Sequence, residues 1–296
     1  VAYRIRYNST DLHGKETQST GLVVAPSEYK EGRKVISWAH GTTGIGDAGA
    51  PSAHDDPARE LTLYFASGSV TQIDYGIPAL QQFIDEGWIV VATDHQGMGT
   101  PGIHQYTVNI TNALDAVNIV HAVREMDLGA GTKFGAIGWS QGGGTTAAVA
   151  ELDASAFGEL ELVGVVAMSP GVPSVAIKVP ETQAALAGTG APSAPDAHIY
   201  MILGGMTAAF PDELSLDDVF TPLGKQIFLD NYNTAPVHHL GDILTRTWKH
   251  HITKFPIILK VLPQPAMNVP KQHVQAKKSW VMNLLNGIWK VSNKLK

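Results

Sequence analysis

The chain has 296 residues, a net charge of −6, 44% apolar and 16% charged residues, and no cysteine. That length buries a sizeable core, and the balance is globular rather than disordered. No apolar run reaches the roughly 18 residues of a membrane span, and the missing thiols exclude disulfides, thiolate metal sites and cysteine catalysis.

Residues 3–8 alternate in polarity and residues 20–25 form a short β-rich run, which predicts an opening antiparallel pair. Continuous apolar runs at 34–39, 88–93, 133–139, 162–168 and 256–262 then predict strands buried on both faces. Between them, Ile77, Leu80, Phe83 and Ile84 share one helical face, as do Leu114, Val117, Val120 and Val123 in 112–126. Strands alternating with helices imply an α/β fold, a mostly parallel sheet flanked by helices. Residues 171–250, rich in Pro, Gly, Ala and Ser before turning helical, break that alternation. The expected division is a core over 1–170, a helical cap or lid inserted over 171–250, and the rest of the core over 251–296.

The chemistry concentrates at Gly138-Trp139-Ser140-Gln141-Gly142, a G-x-S-x-G between a predicted strand and a predicted helix. A sharp strand-to-helix turn needs glycine on either side of the serine, and it lifts the hydroxyl clear of the sheet, where the helix N-terminus adds positive potential. This is the pattern expected of a nucleophile elbow in an α/β-hydrolase fold, with Ser140 as the candidate nucleophile. The glycine-rich loop Trp38-Ala39-His40-Gly41-Thr42-Thr43-Gly44 follows an earlier strand. The oxyanion hole is then expected from the backbone N–H groups of Gln141 and of Thr43 or its neighbour Thr42. Neither a Walker loop nor a dinucleotide-binding G-x-G-x-x-G in a βαβ context occurs, and no nucleic-acid partner is expected.

Together with Tyr7, Ser9, Asp11 and Gly14, the WAHGTTG loop, the run from Asp94 to Tyr106 (DHQGMGTPGIHQY) and GWSQGG, this pattern resembles the secretory lipase family of α/β hydrolases, which includes the cap-bearing lipase A type. The segments TPLGKQIF and APVHHLGDIL are similar to the end of such a family's helical cap. The resemblance implies hydrolysis of carboxylic esters, from short acyl esters to triacylglycerols, through an acyl-enzyme and with no metal or organic cofactor. A small-molecule or lipid ester is the expected substrate, and a lipid-water interface is among the expected partners. With no Met at position 1 and no basic-then-apolar leader, the expectation is a mature exported chain, extracellular or periplasmic.

The triad order Ser, acid, His is not completed by the sequence. Aligning residues 255–270 with the family's strand and following loop puts Ala266 where the acid should stand, and no acid follows Asp242. Asp230 and Asp242 are the nearest candidate acids, and His273 is the candidate base. The pairs His238-His239 and His250-His251 lack a carboxylate spaced to complete a metal site. Residues 1–243 hold 11 Lys and Arg against all 27 acidic residues, a balance of −16, whereas 244–296 hold ten basic residues and no acid. Trp280, Leu284, Ile288, Val291 and Leu295 fall on one helical face of that basic stretch, which reads as a packed terminal helix, as an interface-binding helix or as an out-of-frame or truncated end. Two functions stay open: an ester hydrolase acting through Ser140, or a catalytically impaired hydrolase fold that binds acyl lipids or a lipid surface.

Overall fold

The computed structural model describes residues 1–55, 76–172 and 196–251. Among these residues six strands, β1 (Ala2–Thr10), β2 (Glu16–Val24), β3 (Arg33–Ala39), β4 (Ile89–Thr93), β5 (Ala130–Trp139) and β6 (Glu161–Met168), form one sheet in the order β1-β2-β4-β3-β5-β6. β1 pairs antiparallel with β2 and β2 antiparallel with β4, whereas β4, β3, β5 and β6 run parallel. The predicted opening hairpin and parallel core are therefore present. The strand expected over 256–262 lies outside the described residues.

Alternation along the central strands explains why continuous apolar runs were needed. Ile89 and Val91 of β4 join Val35 and Phe134 on one face, packed against α2 (Asn109–Arg124) and α3 (Gln141–Val149). Val90 and Ala92 turn to the other face with Ile36 and Trp38, where Leu80 of α1 (Leu80–Asp85) covers them. A strand with helices on both sides has no polar face to spare. β6 departs from the expectation of burial on both faces: Val163, Val165 and Val166 are exposed, β6 being the last strand among the described residues, whereas Leu162 and Met168 are partly buried against the cores on the two sides of the sheet.

The parallel register brings the C-terminal ends of the strands to one edge. Ala39 sits beside both Thr93 and Gly138, and Gly138 sits beside Ala167. His40, Asp94 and Ser140 all leave the sheet at that edge, which is where open α/β sheets bind ligands.

Residues 196–251 are helical: α4 (Ala197–Ala209), α5 (Leu216–Val219), α6 (Pro222–Asn231) and α7 (Val237–His251). Their starts carry local signals. Asp196 accepts from the N–H groups of His198 and Ile199, Ser215 and Asp218 form a reciprocal capping box, and Thr221 precedes Pro222 and accepts from Gly224 N–H. Tyr200, Phe220 and Phe228 pack together at their centre, with ring centroids 4.5 Å apart for the tilted pair Tyr200 and Phe220 and 5.4 Å for the stacked pair Phe220 and Phe228. Ile45 and Tyr106 from loops of the sheet edge enter the same cluster. The helices are pinned to the loop after β3 by Val237 N–H donating to Thr43 O (2.9 Å) and Ala48 N–H to Asn233 O (3.0 Å).

Trp38 is fully buried between β3 and the α1 side of the sheet. Trp38→Ala is expected to lower stability by about 3–5 kcal/mol through lost burial and a residual cavity. Urea unfolding followed by circular dichroism measures it, and a loss under about 1 kcal/mol would contradict the packing described.

Candidate active site

Ser140 occupies the turn between β5 and α3 with φ 55° and ψ −114°, a backbone region that L-residues rarely enter and that costs on the order of 1–3 kcal/mol. The surrounding bonds hold it there. Its N–H donates to Met168 O (3.0 Å), and its carbonyl accepts from Gly144 N–H (3.1 Å) and Gly171 N–H (2.6 Å). Gly142 N–H donates to His40 O at 2.9 Å, tying the helix start to the loop after β3. A Cβ on Gly142 would fall on Ala39 O, and one on Gly138 would fall on Gly142 O. The two glycines of the motif are thus required by backbone-to-backbone approach. The serine is half-buried.

Gln141 is the first residue of α3, and its N–H is among the donors that a helix start leaves without an intrahelical partner. Thr43 is fully buried in the loop after β3, and its hydroxyl finds no partner. Its neighbour Thr42 pairs its hydroxyl with Tyr106 OH at 2.7 Å.

A buried polar layer lies behind this edge, and the reading of the sequence did not anticipate it. His40, His95 and His104 are in ring contact in succession, His40 tilted against His95 at 5.2 Å between centroids and His95 stacked on His104 at 5.6 Å. All three are fully buried, and burial holds each imidazole below its usual range, His104 down to about 3. Burial likewise raises Asp94, which is held by Ser52 N–H (2.9 Å), the Ser52 hydroxyl and the Thr20 hydroxyl (2.7 Å), and lifts Asp115 to about 7. His95 Nδ1 stands 3.9 Å from Asp115 Oδ2, yet with the imidazole neutral this contact is not an ion pair. The only signal in the sequence was the density of His, Gln and Asp in residues 94–105, polar residues that composition alone would place on a surface.

The remaining candidates are scattered. Asp230 is exposed and accepts from Gln226 Nε2 at 2.7 Å, and Asp242 is exposed on α7. His238 and His239 are exposed on the same helix, the side chains of His250 and His251 lie outside the described residues, and no described group of three His, Asp or Glu is arranged to hold a metal. Ala266, His273 and the apolar helical face from Trp280 to Leu295 also lie outside the described residues. A groove of about 1390 Å³ runs along the loop beyond Asp94, lined by Asp11, His13, Thr100, Ile103, Gln105 and Phe210, and Ser140 is not part of it.

A mostly parallel sheet with a strained serine between its β5 and the following helix is the architecture of the α/β-hydrolase fold. Among solved structures, the rice cell wall degrading esterase LipA from Xanthomonas oryzae matches 98% of this chain and 71% of its own, with a TM-score of 0.61 at 16% identity. Candida antarctica lipase A matches 86% of this chain and 57% of its own, with a TM-score of 0.56 at 16% identity. The family resemblance read from the motifs is found independently, since the secretory lipase family model matches residues 63–193. A secreted triacylglycerol lipase of Malassezia globosa is 27% identical over 230 residues, 76% of this chain, and this chain spans 44% of that relative's length. Among the described residues no helix is long and apolar enough to cross a membrane.

Two outcomes follow from this geometry. Gly142→Ala is expected to prevent α3 from docking on β3, abolishing any chemistry at Ser140 and lowering the unfolding midpoint; an alanine variant with unchanged thermal unfolding would refute the close approach. The second concerns Asp115, whose carboxyl is raised from 3.8 to about 7, so that its stabilising contribution is full below about pH 4 and lost as pH rises through about 7. Asp115→Asn should match the parent near pH 4 and exceed it by a few kcal/mol at pH 8 in denaturant titrations. An equal difference at both pH values would count against a protonated carboxyl.

Proposed function

We propose that the chain is a secreted carboxylic ester hydrolase of the lipase and esterase type, acting extracellularly through an acyl-enzyme on Ser140. The strained backbone of Ser140 carries this reading: a turn that costs free energy, held by three backbone bonds, has no role in packing that a relaxed serine would not fill. The matches to a secretory lipase model and to a secreted triacylglycerol lipase support the substrate class and the location.

In this reading Ser140 Oγ attacks the ester carbonyl carbon and loses its proton to a base. The carbonyl oxygen becomes an oxyanion met by the N–H groups of Gln141 and Thr43. Collapse expels the alcohol, and water releases the acid by the same route. The helices of 196–251 act as the cap, seated on the Thr43 loop and therefore able to shape the acyl site. His273 is the base that the chain order favours, from the part of the chain outside the described residues, and its acid partner stays unassigned.

The test combines hydrolysis of p-nitrophenyl esters with stoichiometric fluorophosphonate labelling. Labelling at Ser140 is expected, and Ser140→Ala should lose labelling and at least about 10³-fold in kcat. A folded parent chain that neither labels nor turns over would leave the binding protein as the correct reading.

A further inference from the structure

We propose that His104 and Tyr106 are positioning residues that aim the two backbone donors of the oxyanion hole from one segment behind it; the proposal rests on the hydrolase reading above. His104 Nδ1 lies 3.0 Å from Gln96 O, a group that can only accept, so Nδ1 carries the ring proton. Nε2 therefore presents a lone pair, and at 2.7 Å it faces Gln141 Nε2, which donates to it. Gln141 is the residue whose backbone N–H opens α3. Its side chain is buried, and its Oε1 has no partner, so the bond to His104 is the polar tether seen for that side chain.

Two residues along the chain, Tyr106 OH meets Thr42 Oγ1 at 2.7 Å, on the loop that carries Thr43. The same segment is tied to that loop again by His104 N–H donating to Ile45 O at 3.1 Å. One short stretch thus touches both walls of the hole, through bonds whose directions are set by a buried ring and a buried phenol.

A buried imidazole with both nitrogens in directional bonds is an expensive way to fill space that a phenylalanine would fill. The gain is orientation. A donor must point to where the oxyanion forms, and loss of one donor costs about 10²–10³ in kcat, so loss of its aim should cost part of that. The burial that keeps His104 neutral down to about pH 3 also keeps Nε2 an acceptor throughout the range in which an ester hydrolase works.

The experiment uses the full chain and the variants His104→Phe, Gln141→Met, their double combination and Tyr106→Phe. Each is checked for folding by thermal unfolding, then for kcat, KM and inhibition by an alkyl boronic acid, which mimics the tetrahedral oxyanion. The expected result is a fall in kcat of about 10–100-fold with KM changed less than about 3-fold, and boronate affinity weakened in proportion to kcat/KM. The double variant should be no worse than the worse of its two singles, because both remove the same bond. If His104→Phe fails to fold, Gln141→Met and Tyr106→Phe each delete one polar contact with little change of shape and give the same readout. Folded variants that keep kcat or boronate affinity, or a strictly additive double variant, would overturn the positioning role while leaving the hydrolase reading intact. A parent chain without turnover dependent on Ser140 would instead overturn the hydrolase reading and this proposal with it.

Discussion

The close approach of α3 to the loop after β3 is the constraint on which the rest of the structure depends. Gly142 lies against Ala39 O with no room for a side chain, and its N–H bonds to His40 O. That contact fixes the start of α3, forces Ser140 into the left-handed region and brings Gln141 to the same sheet edge as Thr43. Were the helix even slightly further away, Ser140 could relax. The glycines therefore act as spacers between backbones, and the strain at Ser140 follows from them.

Behind this edge the protein holds a layer of buried polar groups instead of an apolar core. His40, His95, His104, Asp94 and Asp115 are all inaccessible to solvent, and burial drives the imidazoles and carboxyls alike toward their neutral forms. Neutrality has opposite pH signs for the two classes. The neutral His104 contributes stability that is full above about pH 6.5 and is lost as pH falls through about 3, whereas Asp115 contributes stability lost as pH rises through about 7. The layer is consequently most comfortable in mildly acidic to neutral solution. Its directed bonds also give loops a rigidity that apolar contacts would not.

The helical segment over residues 196–251 extends the same logic outward. Its aromatic cluster accepts Ile45 and Tyr106 from the sheet edge, and Val237 donates to the carbonyl of Thr43 itself. The polar tether of Tyr106 to Thr42 and the apolar packing of its ring lie on one side chain. Movement of the helices and alignment of the loop after β3 are in this way mechanically linked.

The sequence by itself determined the opening antiparallel pair, the parallel strands found among the described residues, and the sharp turns after β3 and β5. These rest on short-range rules: alternation in the opening pair, continuous apolar runs in strands covered on both faces, and glycines flanking a turn. Only the tertiary structure decided that β6 exposes its valines, that Asp230 and Asp242 face solvent, and that His40, His95 and His104 meet in one buried cluster. His40 and His104 are 64 residues apart, and nothing local distinguishes a histidine bound for the interior from one bound for water. Their destination is set by which carbonyls and amides, such as those of Gln96 and Gln141, the fold brings within hydrogen-bond reach.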